Sequence, residues 1–279
     1  MALLAVACRG NLAPAFSELL EARKLSSEMR VHFARAGDAI HRAVLADTDE
    51  LSREFAQEAR DETRQVSSGL DRLESLVKDL DYRGELALVG EFRSEFTQCQ
   101  KLDEEILSLA VENTNLKAQR LSFGAASQAA NELERALDGV PGTHALNEFE
   151  LQNLKQAVML GVREIQVLEG PHIATLDENE MRRYESEMAT SLTKASAALD
   201  QLSRQLDPDA KKGSLEPARQ ALARFHGVHQ EVLALSHRNT DARSLALALG
   251  EKRKLDAVCQ AKLESLADEL KRRNFPATR

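Results

Sequence analysis

Two lines of this chain, ENTNLKAQRLSFG at residues 112–124 and RNTDARSLALALG at 238–250, carry one polar pattern inside long apolar stripes. Shifted by 126 residues, Asn113 and Thr114 align with Asn239 and Thr240, Lys117 with Arg243, Leu121 with Leu247 and Gly124 with Gly250. A weaker match pairs His41, Ala43 and Leu45 with His172, Ala174 and Leu176. A seam between helices is most stable with leucine, so Asn113, Arg120 and Asn239 in such a seam need compensation, and an unpaired buried guanidinium costs several kcal/mol. Two chemistries supply it. In one, each asparagine fixes register and Arg120 pairs with a carboxylate such as Asp47. In the other, a small anion, a carboxylate for example, sits between helices, held by Arg120 while His41, His172, Asn113 and Asn239 supply hydrogen bonds.

The elements that would position these groups are helices. Of the 279 residues, 43% are hydrophobic, 4% aromatic and 29% charged, and none is Trp. This favours helices packed through aliphatic seams. Breakers cluster at Asp79 to Gly84, Asp138 to Thr143 and Asp207 to Ser214. Four long helices are expected between them, at about 14–80, 84–137, 146–206 and 215–274. The second has the stripe Phe92, Phe96, Cys99, Leu102, Ile106, Leu109, Asn113, Leu116, Arg120, Phe123, Ser127, Ala130 and Leu137. The fourth repeats it with Phe225, Val228, Val232, Leu235, Asn239, Ala242, Ala246 and Leu249. The fold class that follows is all-α, an elongated up-down-up-down four-helix bundle made of a duplicated helical hairpin. Its parts are an N-terminal stretch 1–13, a first hairpin 14–138, a linker 139–145, a second hairpin 146–274 and a tail 275–279.

Folding each hairpin about its turn gives a register map. A turn near residue 82 sets Asp47 level with Lys117, and His41 near Phe123 and Gly124. A turn near residue 210 sets Asp177 and Glu178 level with Arg243, and His172 near Ala248 and Gly250. The expected ligand-binding set is therefore Arg120, His41, His172, Asn113, Asn239, Asp47, Lys117 and Arg243. Pro171 inside the third helix would kink it beside His172.

Other chemistries find less support. His226, His229 and His237 share an arc of the fourth helix, but no carboxylate or cysteine at suitable spacing completes a metal set, so they read as a solvated flank and no metal or cofactor is expected. There is no nucleophile elbow, P-loop, HExxH or repeated Glu-x-x-His pair, so no enzyme is expected. The 37 basic and 45 acidic residues are interspersed and the formal charge is -8, which argues against nucleic acid as a partner. Cys8, Cys99 and Cys259 are widely spaced, none lies in a CxxC or other metal-ligand spacing, and they give no disulfide framework. The start MALLAVACRG is apolar for eight residues without a basic leader. It reads as a frayed terminus, a lipoprotein-like box or the remnant of a signal or membrane segment.

The strings EMRVHFARAGDAIHRAVLADTDELS, LDEEILSLAVENTNLKAQRLSFGAA, VLEGPHIATLDENEM and LALSHRNTDARSLALALG together resemble the extracytoplasmic helical-bundle sensor regions of bacterial methyl-accepting chemotaxis receptors. The resemblance spans about residues 25 to 260. It implies a periplasmic or membrane-associated bundle, cytoplasmic only if the short N-terminus is native. It also implies a small molecule bound between helices, a homodimer, and a piston-like or rotational helix shift passed to a signalling partner protein. The chain departs from that pattern at its end, KRRNFPATR, where a receptor would continue into a second membrane segment and a signalling hairpin. The alternative reading is a helical spacer or protein-interaction module whose buried polar residues only set register.

Overall fold

A computed structural model describes residues 12–142, 147–206 and 211–273, which leaves the expected stretch 1–13 and tail 275–279 largely outside the described residues. These residues contain helices and no strands, as the aliphatic periodicity requires. The helices are α1 (Leu12–Val44), α2 (Asp49–Asp79), α3 (Arg83–Glu112), α4 (Thr114–Leu121), α5 (Ser127–Asp138), α6 (Glu148–Ala174), α7 (Glu178–Gln205), α8 (Glu216–Arg238), α9 (Thr240–Leu247) and α10 (Arg253–Arg272). One π-helical turn, Ser122–Ala126, joins α4 to α5, and another, Ala248–Lys252, joins α9 to α10.

None of the four expected long helices is continuous. The expected helix 14–80 turns back at residues 45–48, where Thr48 caps α2 by accepting from the Leu51 N–H at 3.2 Å. The expected helix 146–206 turns back at 175–177, where the Asp177 carboxylate accepts from the Asn179 N–H at 2.7 Å and the Glu180 N–H at 3.3 Å. Each cap satisfies backbone donors that a helix start leaves unpaired. Pro171 therefore does not kink a long helix, because α6 ends three residues later. The paired histidines His41 and His172 mark these two helix ends, which is what their 131-residue repeat records.

The chain forms two compact units, one of residues 1–112 with 244–279 and one of residues 113–243. Unit one is a closed ring of antiparallel neighbours. Arg72 meets Glu21 and Arg42 meets Glu58 between α1 and α2, and Arg60 meets Glu104 between α2 and α3. Lys262 meets Glu91 between α3 and α10, and Arg23 reaches the Leu270 carbonyl between α10 and α1. Its core joins Leu70, Leu73, Phe92 and Cys99 to Cys259, Leu263 and Leu266. The Cys99 and Cys259 thiols lie 2.8 Å apart and are buried.

Unit two is the same ring made of α6, α7, α8 and the α4–α5 rod. Ser191 meets Glu164, Arg219 meets Ser203, Arg224 meets Glu132 and Arg163 meets Glu134. Its core joins Ala126, Leu133 and Leu137 to Leu151, Val162, Ala195, Leu202 and Phe225. Burying each such leucine contributes about 1.5–3 kcal/mol. Gly161 lets α6 and α7 approach so closely that a Cβ there would lie 2.5 Å from the Ser191 carbonyl oxygen.

Both units are thus all-α up-down-up-down bundles, but they cut across the expected hairpins 14–138 and 146–274. Each half of the sequence supplies three helices to one ring and sends its fourth into the other, since α5 packs in unit two and α10 in unit one.

Candidate functional site

The repeated asparagines stand at two breaks between helices. Asn113 and Asn239 have φ 49°, and with Asp81 at φ 52° they are the non-glycine residues with positive φ among the described residues. A left-handed residue interrupts a helix, and asparagine tolerates this conformation better than other side-chain-bearing residues do. Helix α3 stops before Asn113 and α4 starts after it; Asn239 separates α8 from α9 in the same way. The asparagines are therefore joints in the main chain and not seam residues in unbroken helices.

Around these joints unit two holds a reciprocal polar contact. The Thr114 N–H donates to Thr240 Oγ1 at 3.1 Å, and the Thr240 N–H donates to Thr114 Oγ1 at 3.0 Å. Asn115 donates through Nδ2 to the Ile173 carbonyl and to Asn239 Oδ1, both at 2.6 Å, and its Oδ1 accepts from the Asp241 N–H at 3.2 Å. Asn239 Nδ2 donates to the Thr175 carbonyl at 2.7 Å. Two side-chain amides thereby satisfy carbonyls at the end of α6, where backbone partners run out. Asp241 accepts from the Leu116 N–H at 3.0 Å, yet burial raises its carboxyl above the usual range more than the hydrogen bonds lower it.

Further along the interior of unit two the seam stays polar. Glu169 and His172, three residues apart on α6, are fully buried, and so are His229 and Ser236, seven apart on α8, or nearly so. His229 Nδ1 lies 2.8 Å from Glu169 Oε1, and Ser122 donates to the other Glu169 oxygen. His172 Nε2 lies 2.9 Å from Glu185 Oε1 and its Nδ1 lies 2.8 Å from Ser236 Oγ. His237 Nε2 meets the same Glu185 oxygen at 2.7 Å. Burial lowers the His172 pKa, against the opposing pull of Glu185. Among the described residues, His172, Glu185 and His237 bring three donor atoms within 4.8 Å of one another at the edge of this interior, a set that could hold a metal ion.

The expected ligand set is only partly assembled. His172, Asn113 and Asn239 are buried in unit two as expected. Arg120 and Arg243 belong to the same unit but are exposed, and Lys117 is half-buried. The reason is helical phase: the Asn113 joint and the π turn after Leu121 rotate the stripe, so the buried line continues through Thr114, Ala118, Ser122, Ala126 and Ala130. Phe123 and Leu249, expected in the seam, are 74% and 62% exposed for the same reason. His41 and Asp47 belong to unit one and are exposed, His41 lining an open groove between α1 and α10 with Arg30 and Asp256. The register map fails for them because α1 folds back on α2. His229 is buried, which corrects its placement on a solvated flank; it stands four residues after Phe225 and three before Val232, a spacing that already marked it as a seam position.

The fold is similar to that of a sensor domain. That structure is the V. parahaemolyticus histidine kinase sensor TorS sensor domain, with a TM-score of 0.55 and 13% identity, covering 91% of this chain and 99% of that one. At this identity the likeness is one of fold. No protein-family model and no curated protein sequence matches the chain. No described helix is long and apolar enough to cross a membrane.

Proposed function

We propose that the chain is a non-enzymatic extracytoplasmic sensory domain of a membrane-bound signal transducer. The observation that carries this reading is the match of fold to a histidine kinase sensor domain over nearly the whole of both chains. The transducer is a histidine kinase or, as the sequence resemblance implies, a methyl-accepting chemotaxis receptor. Two features of the rings support a signalling role. Arg23, in the first half of α1, bonds to the Leu270, Lys271 and Arg273 carbonyls, so the end of α10 is tied to α1 and a displacement of one of these helices is passed to the other. The joints at Asn113 and Asn239 interrupt helices, and an interrupted helix can settle in more than one packing, whose balance a ligand shifts by its differential affinity.

The ligand-binding region in this reading is the polar interior of unit two, around Asn115, His172 and Asn239, and it takes a small polar molecule. A dimer and a downstream partner protein complete the reading. The test is a thermal-shift screen against small carboxylates and amino acids, paired with distance measurements between spin labels at Glu18 and Lys271. A compound that raises the melting temperature and shifts the label distance supports sensing. Absence of both for every compound would instead favour a helical interaction module, for which the exposed Leu160 and Val167 on α6 offer an apolar contact.

A further inference from the structure

We infer that His172, Glu185 and His237 form a binding site for a divalent transition-metal ion of the zinc class. The three residues come from α6, α7 and α8, and their donor atoms all lie within 4.8 Å of one another. Both histidines present Nε2, at 2.9 and 2.7 Å, to the same Glu185 oxygen, and their rings stand nearly perpendicular with centroids 5.7 Å apart. Zinc binds imidazole nitrogen and carboxylate oxygen at about 2.0–2.2 Å, which sets tetrahedral ligands about 3.3 Å apart. The His–Glu separations therefore need to open by only a few tenths of an ångström around an ion.

The second observation concerns Ser236. Its hydroxyl oxygen lies 2.8 Å from His172 Nδ1 and 3.1 Å from the His172 carbonyl oxygen. A hydroxyl has one proton. If it goes to the carbonyl, Ser236 accepts from Nδ1–H, and the bare Nε2 of His172 faces the Glu185 carboxylate. Nε2 of His172 and the Glu185 oxygen are then both acceptors, and a proton or a metal ion between them is favourable. That arrangement, with the ligating nitrogen bare and the other ring nitrogen donating to an orienting partner, is the usual outer-shell pattern of a zinc-bound histidine. His172 is fully buried, whereas Glu185 and His237 are 28% and 54% exposed, so an ion has a route in and solvent can take the fourth position. A bound ion would cross-link three of the four helices in the ring of unit two.

The site shares His172 with the ligand-binding region of the sensory reading but does not depend on it, because an ion can hold this ring together without being its signal. The experiment uses the full chain without a polyhistidine tag, stripped with EDTA and titrated with zinc chloride by calorimetry, with metal content measured after gel filtration. One zinc per chain is expected, with X-ray absorption showing a nitrogen and oxygen shell at about 2.0–2.1 Å. His237→Ala removes a half-exposed ligand and leaves the buried network in place; it and Glu185→Gln should each weaken binding by about 100-fold or more, and Ser236→Ala by about 10-fold to 100-fold. No saturable binding of zinc, or binding unchanged in both His237→Ala and Glu185→Gln, overturns the site. Zinc binding without any change in the Glu18 to Lys271 label distance would retain the site and separate it from sensing.

Discussion

Replacing Asn239 separates the two duties given to it. Asn239→Ala keeps a Cβ in a backbone of φ 49°, where a residue without a local hydrogen bond costs about 1–2 kcal/mol. It also removes the hydrogen bond from Asn115 Nδ2 and the one to the Thr175 carbonyl, at 2.6 and 2.7 Å, each contributing about 1 kcal/mol. The alanine variant should therefore lose about 3–4 kcal/mol. Asn239→Gly relieves the backbone and loses only the hydrogen bonds, about 2 kcal/mol. Urea unfolding followed by circular dichroism, with midpoints compared at constant slope, reads both values. The decisive quantity is the gap of about 1–2 kcal/mol between glycine and alanine. Equal losses for the two variants would refute the left-handed joint, and a glycine variant as stable as wild type would refute the role of the amide.

Four further outcomes follow from the geometry. Lys252, buried with Asp103 at 2.6 Å and Asp256 at 3.0 Å, has no room for its partners to go unpaired; Lys252→Met should cost about 3–5 kcal/mol in urea, and adding Asp103→Leu should recover most of it. Gly161→Ala, whose Cβ would meet the Ser191 carbonyl oxygen at 2.5 Å, should lower stability by about 1–3 kcal/mol, whereas Gly90→Ala, with open space around it, should raise it by about 0.5–1 kcal/mol in the same denaturation assay. Arg273 holds the buried Glu85 carboxyl below its ordinary 4.5, so the stability this pair gives is present above pH 4.5 and is lost as pH falls through the lowered value; Glu85→Gln should flatten that acid slope in pH-dependent melts. Cys99 and Cys259, already 2.8 Å apart, should close to a disulfide when oxidised glutathione takes their two electrons, with the loss of two hydrogens by mass spectrometry and a higher melting temperature that Cys259→Ser abolishes.

The aliphatic periodicity made the helices legible, and the 126-residue repeat was legible because it is a repeat of structure: joint, eight-residue helix and π turn recur at that spacing in both halves. What the pattern hid was the meaning of Asn113 and Asn239. Periodicity presumes a constant phase, and a stripe drawn through a left-handed residue and a π turn leads to Arg120 and Phe123, which face solvent. The breaks at 45–48 and 175–177 lack proline and glycine, so they carry no strong punctuation. Their signal was the caps, Thr48 before Asp49 and Glu50, and Asp177 with Glu180 three residues on, which read as helix starts. Without the second break Glu185 stays far along the third helix from His172; with it, α7 folds back along α6 and sets the carboxylate beside the imidazole.

The exchange of fourth helices bears on how such a chain arose and how it can move. A half containing α1 to α5 has three helices for one ring and a fourth, with Ala126, Ala130, Leu133 and Leu137 as its apolar face, that has no partner within that half. Such a half can bury that face only against a second copy that returns the same helix, which is a domain-swapped dimer. Fusing the two copies converts the dimer into one chain, and the contact made where the copies cross becomes internal. The reciprocal bonds between Thr114 and Thr240 have the form of an isologous contact, each backbone N–H donating to the other hydroxyl at 3.1 and 3.0 Å. The equivalence ends at the next position, where Asn115 stands in one half and Asp241 in the other. The Asn115 amide donates to the Ile173 carbonyl at the end of α6, whereas the Asp241 carboxylate accepts from the Leu116 N–H, so the two halves make different contacts at this position.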